Sequence, residues 1–212
     1  MKSVLISIRP QWCEKIASGE KTIEVRKTAP KEVPFKAYIY ATRPKKFYKC
    51  GAVSTSDELL WLANGKIEMG DGFKFWADGD EYQCLNGRII GEFICDKVYK
   101  IEPIFSFCDC YSGYDDSSDF SYFEDYSIDS ERLKKTCLTR QELYIYGKEE
   151  TLYGWHISDL KIYDKPKELS EFRKPFIDYV PPKESKMVNP KIGISEYVNR
   201  PPQSWIYVEE LK

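Results

Sequence analysis

The first forty residues alternate apolar and polar positions in a way that predicts four elements. The short apolar run 3–8 predicts a strand. A helix is expected between Pro10 and Gly19, because proline suits the first turn of a helix and glycine its end. The segments 21–27 and 34–42 then alternate as strands do. The N-terminal part is therefore predicted to be strand, helix, strand, strand.

The helix and the second strand each have a distinct apolar face. On the helix, Trp12 shares one face with the other apolar residues. On the strand, Ile23 and Val25 point to one side, whereas Glu24 and Arg26 point to the other. Strict alternation would place Lys21 on the core side with the apolar pair, although its position at the start of the strand frees it from that pattern.

After residue 42 polar segments interrupt the pattern. The region 43–87 reads as irregular, with a helical turn expected in 57–66 and a hairpin with Asp-Gly turns in 71–84. The segment 87–101 gives the clearest strand signal of the chain, and Gly91 at its centre predicts a bulge.

The segment 108–131 contains no lysine or arginine and many Asp, Ser, Tyr and Phe residues. We expect an acidic surface insertion, partly disordered. The alternative is a negatively charged arm that mimics nucleic acid or binds a basic protein partner. One or two short helices are predicted after it, because Thr139 followed by Glu142 forms a capping-box pattern.

The C-terminal part is expected to contain a strand at 152–164, a short helix after Pro166, and a Pro- and Lys-rich linker or embracing loop over 174–202. Many short strands with few helices predict an α+β protein built on a small mixed β-barrel. We expect one domain over 1–170 and an extension over 171–212 whose last strand, 204–210, packs back on the barrel.

Composition narrows the function classes. The 212 residues carry a net charge of -2, so a nucleic-acid role would need a local basic patch. No signal peptide or membrane-spanning run is recognised, and a cytoplasmic protein is expected. The 7 cysteines are an odd number without zinc-ligand spacing, so we expect free thiols, no metal site and no cofactor.

Gly19, Lys21, Glu24 and Arg26 form the motif GxKxxExR between the predicted helix and strand. This motif, in its strand–helix–strand setting, resembles the ASCH family of PUA-like β-barrels. Later segments, 87–98 and 155–172, are similar to strands of larger members of that family found in prophages.

The resemblance implies a pseudo-barrel with a cleft beside the first helix, lined by the Lys, Glu and Arg of the motif. Family members are expected to bind RNA or another nucleic acid; some are amidohydrolases of acylated cytidine, and one resembles a ribonuclease. Those amidohydrolases carry Thr in place of Glu24 and use a second carboxylate, for which Glu124 and Glu131 are candidates by position.

The chemistry of these side chains is compatible with a ligand cleft. Arg26 can hold a phosphate or a base edge bidentately, Lys21 can contact a phosphate, and Trp12 can stack on a base. If the protein is an enzyme, Lys21 and Glu24 are the candidate catalytic residues, with Lys21 as base or nucleophile. The ordinary alternative for Glu24 and Arg26 is an exposed ion pair on a strand, worth roughly 0–1 kcal/mol.

Two further groups are candidate ligand contacts. His156 and Ser158 share a face of a predicted strand, where His156 is either a pocket residue or a hydrogen-bonded histidine near the core. The basic run at 42–49 contains Arg43, Lys45 and Lys46 beside aromatic residues, which suits single-stranded nucleic acid or an ordinary solvated loop.

The leading hypothesis is binding of RNA or a modified nucleotide in this cleft. A hydrolase of a modified nucleobase or a ribonuclease is the first alternative, and a phage-type interaction protein acting through the acidic segment is the second.

Overall fold

The computed structural model describes residues 1–43, 59–70, 83–108, 120–175 and 196–211. Its strands are β1 (Lys2–Ile8), β2 (Ile23–Arg26), β3 (Phe35–Ala41), β4 (Leu59–Ala63), β5 (Lys66–Gly70), β6 (Gln83–Cys84), β7 (Ile89–Cys95), β8 (Val98–Ile101), β9 (Pro103–Cys108), β10 (Phe120–Tyr126), β11 (Leu152–His156), β12 (Ser158–Lys167) and β13 (Trp205–Val208). Its helices are α1 (Pro10–Ala17), α2 (Ser130–Thr136) and α3 (Arg140–Gly147), with a 3-10 turn at Leu169–Glu171.

The largest sheet has the strand order β12-β7-β3-β1-β13. Strand β1 pairs in parallel with β3 and antiparallel with β13. Both faces of β1 are buried: Val4 and Ile6 pack with Cys13 of α1, whereas Leu5 packs with Val208 of β13. A strand buried on both faces is nearly continuous in apolar residues, which explains the run at 3–8.

A second sheet, in the order β2-β11-β8, lies between the main core and the two later helices. On one face Trp155 belongs to the main core together with Phe35 of β3. On the other face Val25 packs in a separate cluster with Leu143 of α3 and Leu152. Because both faces are covered, the polar residues of β2 are also buried, and this brings Glu24 into the interior.

Four times along the chain a strand of one of these sheets is followed by a strand of the other, and two of these passages fall within the segments 87–101 and 152–164. Strand β7 belongs to the main sheet and β8 to the second, whereas β11 belongs to the second and β12 to the main sheet. The segments 87–101 and 152–164 were each expected to form one strand, and this is wrong. Each segment forms two strands, and the division lies where the chain passes from one sheet to the other. The bulge expected near Gly91 is confirmed, because the pairing of β3 with β7 shifts register between Ile39 and Tyr40, opposite Gly91 and Ile89.

The helical turn expected in 57–66 is also wrong, because the described part of that segment forms the β4–β5 hairpin. Asn64 and Gly65 have φ angles of 49° and 75°, the left-handed conformation that a tight hairpin turn needs. The hairpin packs on α1, where Glu14 Oε1 accepts a hydrogen bond from the Met69 backbone N–H at 3.1 Å. Of the hairpin expected at 71–84, residues 71–82 lie outside the described residues.

The described part of the acidic segment after residue 119 forms β10 and the start of α2. Residues 109–119 lie outside the described residues, but β10 pairs antiparallel with β9, and Tyr126 and Ile128 are buried against α3. The prediction of one or two short helices after it is confirmed by α2 and α3. The helix expected after Pro166 is only the 3-10 turn, because residues 165–167 continue β12.

The chain therefore has the mixed α+β architecture that its sequence predicts. The expected barrel is not formed by the described residues, whose strands make four sheets, none of them closed on itself.

Candidate functional site

Lys21 lies at the junction of α1, β2 and α2. The chain leaves α1 through Gly19, whose φ of +81° favours glycine, and the Lys21 backbone N–H donates to Lys15 O at 2.9 Å. The side chain is only 1% exposed. Its Nζ donates to Thr136 O at 2.5 Å and lies 5.1 Å from the centre of the Trp12 ring. The ammonium thus occupies the C-terminal end of α2, where the helix dipole favours a positive charge.

Glu24 stands between two cations. Its Oε1 lies 3.0 Å from Arg26 Nη2, and its Oε2 lies 3.4 Å from Lys21 Nζ. Arg26 Nη2 also donates to Ser7 O at 2.6 Å, which ties the site to β1. The three side chains are almost fully buried, so the alternative of an exposed ion pair on a strand is wrong, and the residues form an interior network with a formal charge of +1.

Two atoms of this network have hydrogen-bonding capacity left. Among the described residues, Glu24 Oε2 and Arg26 Nε are buried and have no hydrogen-bond partner. Trp155 Nε1 is in the same condition, and Trp155 is paired directly with Glu24 across β11 and β2. A buried polar group without a partner costs roughly 1–3 kcal/mol, so such groups are usually satisfied by a ligand or ordered water.

Cys13 is a neighbouring group with nucleophilic potential. Burial raises the pKa of its thiol, and the negative charge of Glu24 raises it further. A thiol with a raised pKa stays protonated at neutral pH and is a poor nucleophile. Cys13 therefore packs in the core and does not supply chemistry to the site.

The contacts of Lys21 bear on the hydrolase hypothesis. A lysine that acts as base or nucleophile must present a lone pair to the substrate. Here the ammonium is engaged by the Thr136 carbonyl, by Glu24 and by the ring of Trp12. This arrangement positions α2 and balances Glu24, and it does not present a reactive amine.

His156 does not join this network. It is paired in register with Ile23, so it lies on the opposite face of the sheet from Glu24. Its Nδ1 is 2.6 Å from Asp96 Oδ1, and this hydrogen bond holds the pKa of the Asp96 carboxyl below its ordinary value. Ser158 Oγ donates to Ile94 O at 2.9 Å. His156 ends β11 and Ser158 begins β12, so both lie where the chain passes from the second sheet to the main sheet. Their hydrogen bonds stabilise this connection.

The remaining predicted residues are also apart from the network. Arg43 is exposed after β3 and its guanidinium lies against Gly87, while Lys45 and Lys46 lie outside the described residues. Glu124 accepts a hydrogen bond from Ser106 Oγ, and Glu131 pairs with Lys135 at 2.7 Å. Neither carboxylate contacts Lys21.

Sequence reasoning missed Ser7, Thr136 and Trp155. Ser7 and Thr136 take part through backbone carbonyls, which any residue type would supply, so the sequence carried no signal for them. Trp155 was interpreted as a packing residue. Its position after Gly154 in a strand that pairs with the motif strand was the available signal, but the pairing itself was not predicted.

No cluster of three or more His, Cys, Asp or Glu side chains suited to a metal ion occurs in the part of the chain that the structure describes. Within the same ranges, each helix falls short of the length and apolarity that crossing a membrane requires.

No family model matches the sequence, and no curated protein is found to be similar to it. Among solved structures the chain is similar to the crystal structure of ASCH from Zymomonas mobilis, with a TM-score of 0.47 and 15% identity, over 99% of this chain and 89% of that chain. Two variants of the same protein give the same TM-score and identity, over 92% and 89% of their chains. This is the family that the motif resembles.

Proposed function

We propose that the protein binds RNA or a modified nucleotide through the network of Lys21, Glu24 and Arg26 beside Trp12. The observation that carries this proposal is the pair of buried atoms Glu24 Oε2 and Arg26 Nε, neither of which makes a hydrogen bond, while Oε2 lies in an ion pair with Lys21 Nζ at 3.4 Å. One is an acceptor and the other a donor, and they belong to side chains in direct contact at 3.0 Å.

A nucleobase edge is a ligand that matches such a pair. Every base presents a donor and an acceptor side by side, and carboxylates and arginines are among the side chains that recognise those edges in proteins. Trp12 is partly exposed on α1 and offers a ring for stacking, which contributes about 1–3 kcal/mol per base in single-strand binders. The net positive charge of the network favours a ligand that carries phosphate.

Lys21 has a supporting role in this proposal. Its Nζ lies 3.4 Å from Glu24 Oε2 and donates to Thr136 O, so it balances the buried carboxylate and holds the C-terminal end of α2. The engaged ammonium favours binding over lysine-dependent hydrolysis.

The test is to titrate the protein with short single-stranded RNAs and with nucleosides. Binding is monitored by tryptophan fluorescence and by thermal shift. Arg26→Lys keeps the positive charge but removes the Nε donor, and it is expected to weaken binding about tenfold, equivalent to about 1.4 kcal/mol. Lys27→Gln is the matched control, since Lys27 is exposed and pairs with Glu150 at 2.9 Å; it is expected to bind as the unaltered protein does. If no RNA or nucleoside binds, or if folded Arg26→Lys binds equally well, the proposal is wrong.

A further inference from the structure

We propose that the site reads its ligand through three atoms, Arg26 Nε, Glu24 Oε2 and Trp155 Nε1, and that it takes the imide edge of a uracil-type base. This inference rests on the proposed function and adds the class of base and a third contacting residue. The three atoms form a donor–acceptor–donor set.

The register of the second sheet brings these side chains together. Trp155 is the direct cross-strand partner of Glu24, and such partners have Cβ atoms about 5 Å apart on the same face of a sheet. Arg26 lies two residues further along β2 on that face and contacts Glu24 Oε1. Glu24 therefore lies between the two donors, one along the strand and one across it.

The other polar atoms around this set already have partners. Arg26 Nη2 contacts Ser7 O and Glu24 Oε1, and Lys21 Nζ donates to Thr136 O. Among the described side chains of this face, three buried atoms make no hydrogen bond: two N–H donors, and the carboxylate oxygen Oε2 of Glu24, which faces Lys21 Nζ at 3.4 Å in an ion pair. The side chains that carry these atoms are buried: Arg26 is 11% exposed, Glu24 is 7% exposed and Trp155 is 0% exposed.

Neighbouring rings hold the indole of Trp155 in place. Its ring centre is 5.0 Å from that of Phe35 and 5.7 Å from that of Trp205, both in edge-to-face contact. Trp205 differs in one respect, because its own indole N–H donates to Thr28 Oγ1 at 3.0 Å. The two tryptophans are therefore neighbours of similar shape, of which only Trp155 has an unused donor.

A donor–acceptor–donor set matches one of the pyrimidine edges. Uracil presents acceptor, donor and acceptor at O4, N3–H and O2, so each position finds its complement. Cytosine presents donor, acceptor and acceptor, which would place its amino group against a protein N–H and its ring nitrogen against the carboxylate. Where a donor faces a donor, or an acceptor faces an acceptor, both buried polar groups stay unpaired. Hydrogen-bonding sites reject close analogues of their ligand in this way.

The experiment compares uridine, cytidine and 3-methyluridine on the unaltered protein. Uridine is expected to bind at least about tenfold more tightly than cytidine, and 3-methyluridine to lose the same factor, because its methyl group replaces the N3 proton that Glu24 would accept. Equal binding of uridine and cytidine, or of uridine and 3-methyluridine, would overturn the inference while leaving the proposed function in place. Absence of binding by every nucleoside and RNA would remove both.

Two variants test whether Trp155 Nε1 is the third atom that contacts the base. Trp155→Phe removes the indole N–H and keeps an aromatic ring, so it is expected to weaken uridine binding about tenfold and to reduce the preference over cytidine. Trp61→Phe is the control, because Trp61 lies on β4, outside the second sheet, and it should leave the uridine-to-cytidine ratio unchanged. An unchanged ratio in folded Trp155→Phe contradicts the role of Trp155. If circular dichroism shows that this variant does not fold, the nucleoside series on the unaltered protein still decides the class of base.

Discussion

Glu24 balances the two buried cations of the site. Its carboxylate lies within 3.4 Å of Lys21 Nζ and 3.0 Å of Arg26 Nη2, and all three groups are largely removed from water. Removing one member of a buried ionic network leaves the others uncompensated, and this costs far more than the network contributes as a whole.

We therefore expect Glu24→Gln to lower the free energy of unfolding by about 3 kcal/mol, although the side chain keeps its size. Urea denaturation followed by circular dichroism measures this change. Glu150→Gln is the control, because Glu150 also pairs with a lysine but is exposed, and its free energy of unfolding should stay nearly unchanged. Equal effects of the two substitutions would show that burial does not strengthen the dependence on Glu24.

At this scale the sequence located the charged residues of the site but not their environment. The GxKxxExR motif and the alternation of β2 placed Glu24 and Arg26 on one face, which the structure confirms. Their burial depends on α2, α3 and the main sheet, which cover that strand from both sides. Such coverage comes from residues more than a hundred positions away, such as Thr136, and a local pattern cannot contain it.

At the scale of elements, helix α3 is delimited by side chains. Thr139 Oγ1 accepts from the Glu142 backbone N–H at 3.1 Å, and Glu142 Oε2 accepts from the Thr139 backbone N–H at 2.8 Å. This reciprocal capping box satisfies two donors that the first turn of a helix otherwise leaves free. The sequence predicted it because every participating group lies within four residues.

Thr139→Ala is expected to lower the free energy of unfolding by about 1 kcal/mol, because it removes the cap from the start of α3. Thr139→Ser keeps the hydroxyl and should retain most of the stability. Both values follow from urea denaturation, and hydrogen exchange of the first turn of α3 reports where the change occurs. Equal stability of the alanine and serine variants would mean that the hydroxyl does not cap the helix.

Elements whose conformation depends on turn chemistry were predicted less well. The hairpin of β4 and β5 was interpreted as a helical turn because Leu59, Leu60 and Leu62 are also compatible with a helix. The Asn64–Gly65 pair is a hairpin signal, and here it outweighs the helix propensity of leucine.

At the scale of the whole molecule, the C-terminal strand completes the main sheet. Val208 is 4% exposed and packs with Leu5 and Tyr38 on the face of the sheet away from α1. The backbone N–H of Leu211 also donates to Tyr38 Oη at 3.0 Å. The stability of the main sheet therefore depends on β13 as well as on the N-terminal elements.

Val208→Ala is expected to lower the free energy of unfolding by about 2 kcal/mol, through lost burial and the cavity it leaves. Ile145→Ala is the control, because Ile145 is 62% exposed on α3 and should change stability little. Thermal unfolding followed by tryptophan fluorescence compares them. A similar small effect of both would indicate that β13 is not part of the cooperative core.

The sequence predicted most strands of the main sheet, but not their order. Pairing of β1 with β3 in parallel, and with β13 on its other side, joins segments about thirty and two hundred residues apart, and no local pattern encodes such neighbours. The mixed composition of strands and helices was therefore predictable, whereas the open sheets in place of a barrel were not.

The position of β1 between β3 and β13 has a consequence for how the chain reaches its fold. During synthesis β1 leaves the ribosome long before β13, and one of its edges can pair only after residues 205–208 have been made. Until then an apolar strand presents unpaired backbone groups, which is the usual starting point of aggregation. Loops of this length also slow folding. Expression at lower temperature, or with chaperones that cover exposed strands, should therefore raise the yield of folded protein.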